Sequence, residues 1–357
     1  SLWIRSYNDL PYKGYQSRIC TYRSEKTTRP FLRGREFMFF ETHDVFSTHK
    51  EALTQVEKDI RISEDVIRKQ CKIPFLLFKR PSWDKFKGAS NTFTPDTLMP
   101  DGKRNQLAST HDLGQNFAKA FDINFQDKDG KKKQPFQTCY GPGIWRIMAA
   151  LIGIHGDDNG LILPFDLAPK QVVVVPIFKD KDKKSVLNYC NELKESLNFS
   201  CIVDDSEATP GFKYNNWEMK GVPIRIEVGP KEVSSKTVTV VLRTNRNKIQ
   251  TKLKDVNSEI KKQADILDKE IENKSKTYFK DNTHDAKVLD ELKRIMKSYR
   301  GFVRVPFCSV DKDGEACADK LKEQTDGVNV CGTLYPKEEK ASGNCIVCNK
   351  KAKHITF

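Results

Sequence analysis

The stretch from Arg23 to His43, R-S-E-K-T-T-R-P-F-L-R-G-R-E-F-M-F-F-E-T-H, cannot be one helix. Pro30 has no N–H, and its ring clashes with the turn before it, so it breaks a helix interior. The segment instead reads as two strands about a loop. The first ends in Arg23 and Glu25, the loop carries Arg29, Arg33 and Arg35, and an aromatic-rich second strand runs from Glu36 to Glu41 and His43. Four arginines at one hairpin tip suit a polyanion such as a triphosphate, because guanidinium forks match phosphate oxygens. A solvated basic hairpin is the alternative, since basic turns are common.

Charge points the same way. The chain has 62 Lys and Arg against 48 Asp and Glu, a formal net charge of +14, which favours nucleic acid first and an acidic membrane surface second. At 357 residues there is room for two or three domains. The most apolar run, Ile147 to Ile154, is far short of a membrane span. The chain opens Ser1-Leu2-Trp3-Ile4-Arg5, without Met or a signal-peptide pattern, and reads as an internal start. Ten scattered cysteines do not form a secreted disulfide framework, so a reducing, cytoplasmic setting is expected. The sequons at Asn198 and Asn273 are then chance matches.

Periodicity divides the chain. A helix is expected from Thr48 to Lys72, a strand from Ile73 to Phe78, and a hairpin from Phe93 to Leu107 about Pro100-Asp101-Gly102. A helix opening at Leu113 to Phe121, a strand from Phe136 to Tyr140 and a buried helix from Ile147 to Ile154 follow. A second unit alternates strand and helix: Val172 to Phe178, Ser185 to Leu197, Cys201 to Val203, Val222 to Val228 and Val238 to Leu242. Asn245 to Tyr278 reads as one charged helix with Ile249, Leu253, Val256, Ile260, Leu267 and Ile271 along a stripe.

The last unit, from about Gly301, is poor in apolar residues and rich in cysteine. Cys345-Ile346-Val347-Cys348 is a C-x-x-C knuckle with Cys308 and Cys317 upstream. Four thiolates close a tetrahedral zinc site, and so small a segment needs a staple. Sites using Cys331 or His354, a redox pair and unrelated thiols are the competing readings. Gly141 to Arg146 is a Gly-rich turn opening a helix, which aims N–H groups and Arg146 at an anion. His111 is one of six histidines, and a structural role competes with a functional one.

In order, the motifs read Arg23-x-Glu25 with R-P-F-L-R-G-R-E-F, F-K-R-P-S-W-D-K-F, T-L-M-P-D-G-K, H-D-L-G-Q-N-F-A-K-A-F, and G-I-W-R before H-G-D-D-N-G-L-I-L-P. Together with K-G-V-P-I-R-I-E-V-G-P and the cysteine-bearing tail, they resemble the prolyl-tRNA synthetases of archaeal and eukaryotic type, from end to end. The resemblance implies an α/β and α+β multidomain chain. A class II catalytic core on an antiparallel sheet (1–168) would be followed by an α/β anticodon-binding domain with its connector helix (169–284) and a small C-terminal zinc domain (285–357). It implies ATP-dependent ligation of L-proline to tRNA(Pro) through prolyl-adenylate, with Mg2+ and structural Zn2+, in a cytoplasmic homodimer.

Residue by residue, Arg23 matches the arginine on the α-phosphate and amino-acid carboxylate, Glu25 the adenosine-side contact and Arg33 the arginine on the outer phosphates. Phe39, Glu41 and His43 match the floor of the proline pocket, where the family more usually has Trp at Phe39, and His111 the proline-side histidine. Gln106 and Ser109 match the nucleotide-binding strand, Ser109 standing where Thr is commoner. Arg146 matches the motif 3 arginine that stacks on adenine, after a Gly141–Trp145 stretch one residue longer than the family's. Arg23 and Arg146 would be the catalytic pair. Cys308, Cys317, Cys345 and Cys348 would hold zinc, and Lys220, Arg225 and Glu227 would face the anticodon, with Phe212 or Trp217 either stacking on bases or in the core. Motif 1 and the Thr-x-Glu stretch of the proline cage are expected before Ser1. The rival readings are a synthetase for threonine, histidine or glycine, a non-catalytic tRNA-binding paralogue, and a zinc-stabilised nucleic-acid-binding protein.

Overall fold

The computed structural model describes residues 3–22 and 24–357, and for residues 18–22 and 39 the backbone alone. The chain forms two compact units: unit 1 comprises 1–68, 74–150 and 278–357, and unit 2 comprises 69–73 and 151–277.

Unit 1 is built on one antiparallel sheet. β1 (Tyr12–Tyr22) and β2 (Glu36–Phe46) form the expected hairpin, with a register shift between Ser17 and Ile19. β3 (Leu76–Lys79), β4 (Asn91–Leu98), β5 (Arg104–Gln106) and β6 (Ala108–Gly114) follow, then a two-residue hairpin, β7 (Phe125–Gln126) and β8 (Lys132–Lys133), and then β9 (Phe136–Pro142). The sheet order is β1-β2-β9-β6-β4-β3, and β5 pairs with β4. The β4–β5 turn closes where Pro-Asp-Gly predicts it, Met99 N–H donating to Lys103 O at 2.9 Å and Gly102 N–H to Met99 O at 2.8 Å. Helix α1 (His49–Ser63) packs on one face of the sheet, where Ser63 donates to the Tyr140 hydroxyl at 3.1 Å. It starts on a Thr48–Glu51 capping box, which satisfies its first N–H groups, and continues as a π-helical stretch, Glu64–Gln70. The helix expected from Leu113 begins later. β6 runs to Gly114 and only Asn116–Ala120 (α2) is helical, because pairing with β9 claims the backbone up to Gly114. Helix α3 (Ile144–His155) follows β9.

Unit 2 carries a mixed sheet of β10 (Val172–Pro176), β11 (Cys201–Val203), β12 (Ile224–Val228), β13 (Thr237–Leu242) and β14 (Lys248–Lys252), in the order β11-β10-β12-β13-β14. The pairs β10–β11 and β10–β12 are parallel, the pairs β12–β13 and β13–β14 antiparallel. Helices α4 (Lys183–Ser196), α5 (Pro210–Met219), α6 (Pro230–Ser235) and α7 (Val256–Asp281) complete it. Val172, Val174, Ile224 and Ile226 bury against Val186, Cys190 and Leu193 of α4 and Ile260, Leu267 and Ile271 of α7. The single helix expected from Asn245 is corrected by β14: Lys248–Lys252 pairs with β13, and the helix begins at Val256.

The C-terminal segment belongs to unit 1. It contains β15 (Thr283–Asp285), α8 (Leu289–Ser298), β16 (Phe302–Phe307), α9 (Glu315–Gln324), β17 (Thr333–Leu334) and β18 (His354–Thr356). β17 extends the main sheet by pairing with β3. Gly332 permits that approach: at φ +129°, a Cβ there would lie 2.1 Å from the Lys79 carbonyl oxygen. No helix of the described residues is long and apolar enough to cross a membrane.

Candidate active site

Alternation along β2, β9 and β6 brings the predicted site residues to one sheet face. Gly14, His43, Cys139, His111 and Thr92 form one row across five strands, each paired with its neighbour. Glu41 and Ser109 lie two residues from that row on the same side of their strands. Glu41 accepts from Cys139 Sγ through Oε1 at 2.9 Å and pairs with His43 Nε2 through Oε2 at 2.9 Å. Burial opposes ionisation of Glu41, but the His43 and Cys139 bonds outweigh it and hold its carboxyl below the usual value. The Glu41 bond in turn raises the His43 pKa. His111 is buried, shares a 2.9 Å bond between Nδ1 and Thr92 Oγ1, and is pushed down to about 4 by that burial, which keeps the ring neutral at physiological pH. Sequence reasoning did not single out Thr92 or assign Cys139 a partner. Only the strand register reveals them.

Next to this row, a cleft of about 220 Å3 opens between the β1–β2 loop, β5, β6 and the start of α3. Glu25, Arg33, Gln106, Ser109 and Arg146 all line it. The loop is pinned by paired backbone bonds between Arg29 and Arg33, and Phe31 meets Trp145 edge-on at 6.3 Å. Glu25 takes a bidentate pair from Arg33, at 2.9 and 3.0 Å, and its carbonyl accepts from Arg35 Nε at 3.2 Å. The α3 start is tied to the β5–β6 turn, Gly143 N–H donating to Leu107 O at 2.7 Å and Asn105 Nδ2 to Arg146 O at 3.0 Å. Burial lowers the Arg146 pKa, and the nearby charge of Arg33 lowers it further. Two guanidiniums therefore work against each other across a polar cleft, an arrangement that an anion relieves. Arg23 and the side chain of Phe39 lie outside the described residues.

Behind the cleft, Arg80 is buried with its Nη2 2.7 Å from Asp96 Oδ2 and 3.3 Å from Gln106 Oε1, and it donates through Nη1 to Cys331 O at 3.0 Å. In unit 2, Arg225 bridges Glu218 at 2.9 Å and Glu227 at 3.0 Å and stacks over Tyr214 at 3.9 Å. Lys220 is exposed, 4.5 Å above the Trp217 ring. Trp217 packs beside Val173 and Val222 and donates to Asp204 at 2.7 Å, while Phe212 is exposed.

In the C-terminal segment the ligand atoms of Cys308, Cys317, Cys345 and Cys348 all lie within 4.8 Å of one another. Tetrahedral zinc with Zn–S of about 2.3 Å sets sulfurs about 3.8 Å apart, so this donor set fits the metal. Cys331 is elsewhere, beside Arg80 and Arg104, and His354 pairs with Glu338.

Family models match in the same order along the chain. The tRNA synthetase class II core domain (G, H, P, S and T) matches residues 1–155, an anticodon binding domain 171–263 and the prolyl-tRNA synthetase C-terminal domain 289–357. The chain is 48% identical to a proline–tRNA ligase of Thermofilum pendens, over 100% of this chain and 74% of the relative. It is 40% identical to that of Methanococcoides burtonii, over 99% of this chain and 72% of the relative. The Giardia lamblia prolyl-tRNA synthetase, solved in complex with prolyl-adenylate, superposes with a TM-score of 0.93 at 29% identity, covering 100% of this chain and 75% of that one. The antiparallel core, the domain order and identity this high over the full chain together make this chain a member of the prolyl-tRNA synthetase family, class II, of archaeal and eukaryotic type.

Proposed function

We propose that this chain ligates L-proline to tRNA(Pro) at the expense of ATP, and that the β1–β2 cleft and the adjacent His43–Cys139–His111 row are where it does so. One observation carries the reading: five candidate nucleotide residues line one cleft, next to the row that bears the candidate amino-acid residues. In this proposal MgATP enters the cleft with its phosphates between Arg146 and Arg33 and its nucleoside towards Gln106, Ser109 and Glu25, while Arg23 holds the α-phosphate. Arg33 exchanges its Glu25 partner for phosphate when nucleotide arrives. Proline lies over Phe39, Glu41, His43 and His111.

The proline carboxylate attacks the α-phosphorus and pyrophosphate leaves. The 3′-terminal ribose hydroxyl of tRNA then attacks the adenylate carbonyl and AMP leaves. A bound carboxylate is already a nucleophile, so the first step needs no side-chain base. Arginines supply positioning and charge neutralisation instead. Cys308, Cys317, Cys345 and Cys348 would hold a structural zinc that staples the tail. Lys220, exposed over the Trp217 ring, is the candidate RNA-facing cation of unit 2, while Arg225 and Glu227, largely buried in their mutual pair, would act beneath the surface rather than on it. The division at 168/169 and 284/285, supported by the order of the family matches, a cytoplasmic location, supported by the reducing character of the cysteine pattern, and a homodimer complete the proposal.

ATP–pyrophosphate exchange tests it. Exchange should require L-proline and fall at least a hundredfold in Arg146→Ala, the scale for losing one preorganised donor. Exchange driven by threonine, histidine or glycine but not proline would overturn the substrate assignment.

A further inference from the structure

Unit 1 has a second and larger concavity, of about 930 Å3, between the β4–β5 turn and the C-terminal segment. Its floor is apolar and buried: Leu292, Val303, Val305, Leu321 and Val330. Its rim is basic, with Lys103 and Arg104 from the turn and Lys293, Lys297 and Arg300 from α8 and the residues after it, against a single acidic lining residue, Asp326. Lys103 has Asp101 at 3.4 Å, and Arg104 has Asp96 at 3.3 Å. Among the described residues no carboxylate pairs with Lys293, Lys297 or Arg300, although all three are exposed. Lys293 and Lys297 stand one helical turn apart on one face of α8. The α8 dipole accounts for Lys297, which lies in the last turn, but not for Lys293 or Arg300. Arg300, at φ +58°, and Gly301, at φ +94°, are held against the turn by Gly301 N–H donating to Gly102 O at 3.1 Å, so the two basic segments share one rim.

Uncompensated like charges around a groove cost free energy that a polyanion recovers. A small anion calls for cations converging on one point. These repeat along a helix and continue past its end, a spacing that suits a succession of phosphates. We infer that this groove is a second RNA-contact surface, binding the phosphodiester backbone of tRNA within unit 1, separate from the Lys220 region of unit 2. Its apolar floor would receive ribose and base faces while the rim holds phosphate. The inference rests on the tRNA-ligating function proposed above and adds a binding surface to it.

The test is Lys293→Glu/Lys297→Glu/Arg300→Glu in the full chain, with tRNA(Pro) binding measured between 50 and 200 mM salt. Binding should weaken by tenfold or more at the lower salt, and the slope of log affinity against log salt should shrink by about 2–3, the share of three phosphate contacts. Proline-dependent pyrophosphate exchange, which needs no tRNA, should stay within twofold. Should the triple variant not fold, Lys293→Ala/Lys297→Ala should still reduce the slope by about 1–2, and Lys293→Arg/Lys297→Arg should keep it. Unchanged affinity and slope would overturn the inference. The binding assay needs no catalysis, so a wild-type protein that binds tRNA but lacks proline-dependent exchange would count against the proposed function and leave the groove standing.

Discussion

Replacing Arg80 with Met should cost unit 1 about 3 kcal/mol and impair ATP use more than proline use. Arg80 is 2% exposed at its side chain, and its partner Asp96 is fully buried. Removing one member of a buried ion pair costs roughly 3–5 kcal/mol, because the other charge is stranded in low dielectric. Arg104, at 3.3 Å from the same Asp96 oxygen but a third exposed, offsets part of that. The carbonyl of Cys331 loses its donor too, at about 1–3 kcal/mol if no water replaces it. The lower ends of the two costs sum to about 4 kcal/mol, and the charge that Arg104 still offers Asp96 brings the expected loss to about 3 kcal/mol. Gln106 lines the ATP cleft and loses its 3.3 Å contact to Arg80, so KM for ATP should rise several-fold while KM for proline moves little. Urea unfolding in a Trp217→Phe background isolates the effect, since the remaining tryptophans, Trp3, Trp83 and Trp145, all belong to unit 1. Arg80→Met/Asp96→Leu, which removes both charges, should recover most of the loss. A single-variant loss below about 1 kcal/mol, or a double variant no more stable than the single, would refute the reasoning.

Two further outcomes are expected. One equivalent of zinc should copurify with the protein, and chelation or Cys345→Ser should make the segment 285–357 exchange its amide hydrogens faster; identical exchange with and without metal would remove zinc from the account. His111 should titrate near pH 4 by NMR rather than near its unfolded value of about 6.5. The sign follows from linkage. Between those values the unfolded chain binds more protons, so unit 1 loses stability as pH falls from 6.5 towards 4, and His111→Gln should flatten that slope; a midpoint near 6.5 would contradict its burial.

The sequence was informative where local pattern and tertiary demand agree. Pro30 excludes a helix and the aromatic-dense Glu36–Phe46 favours a strand, and Ile224–Val228 alternates because Ile224, Ile226 and Val228 face the core formed with α4 and α7 while Arg225 and Glu227 face α5. Lys248–Lys252 shows the opposite case. K-I-Q-T-K offers a single apolar residue, Ile249, which fits a helical stripe as well as a strand, and only the presence of β13 alongside decides it. Thr333–Leu334 is shorter still: two residues carry no period, and their pairing with β3 depends on Gly332 coming up against the Lys79 carbonyl. The same limit governs the candidate site. Arginines at a hairpin tip announce an anion, because charge type is written in the residue itself. That Cys139 would sit between His43 and His111, with Glu41 accepting from its thiol, depends on two strand registers, one joining residues nearly a hundred positions apart and the other residues 28 apart. Chemistry was therefore visible residue by residue, whereas adjacency was not. The groove beside α8 belongs to the second kind: Lys103 and Lys297 are nearly two hundred positions apart, and only the fold puts them on one rim.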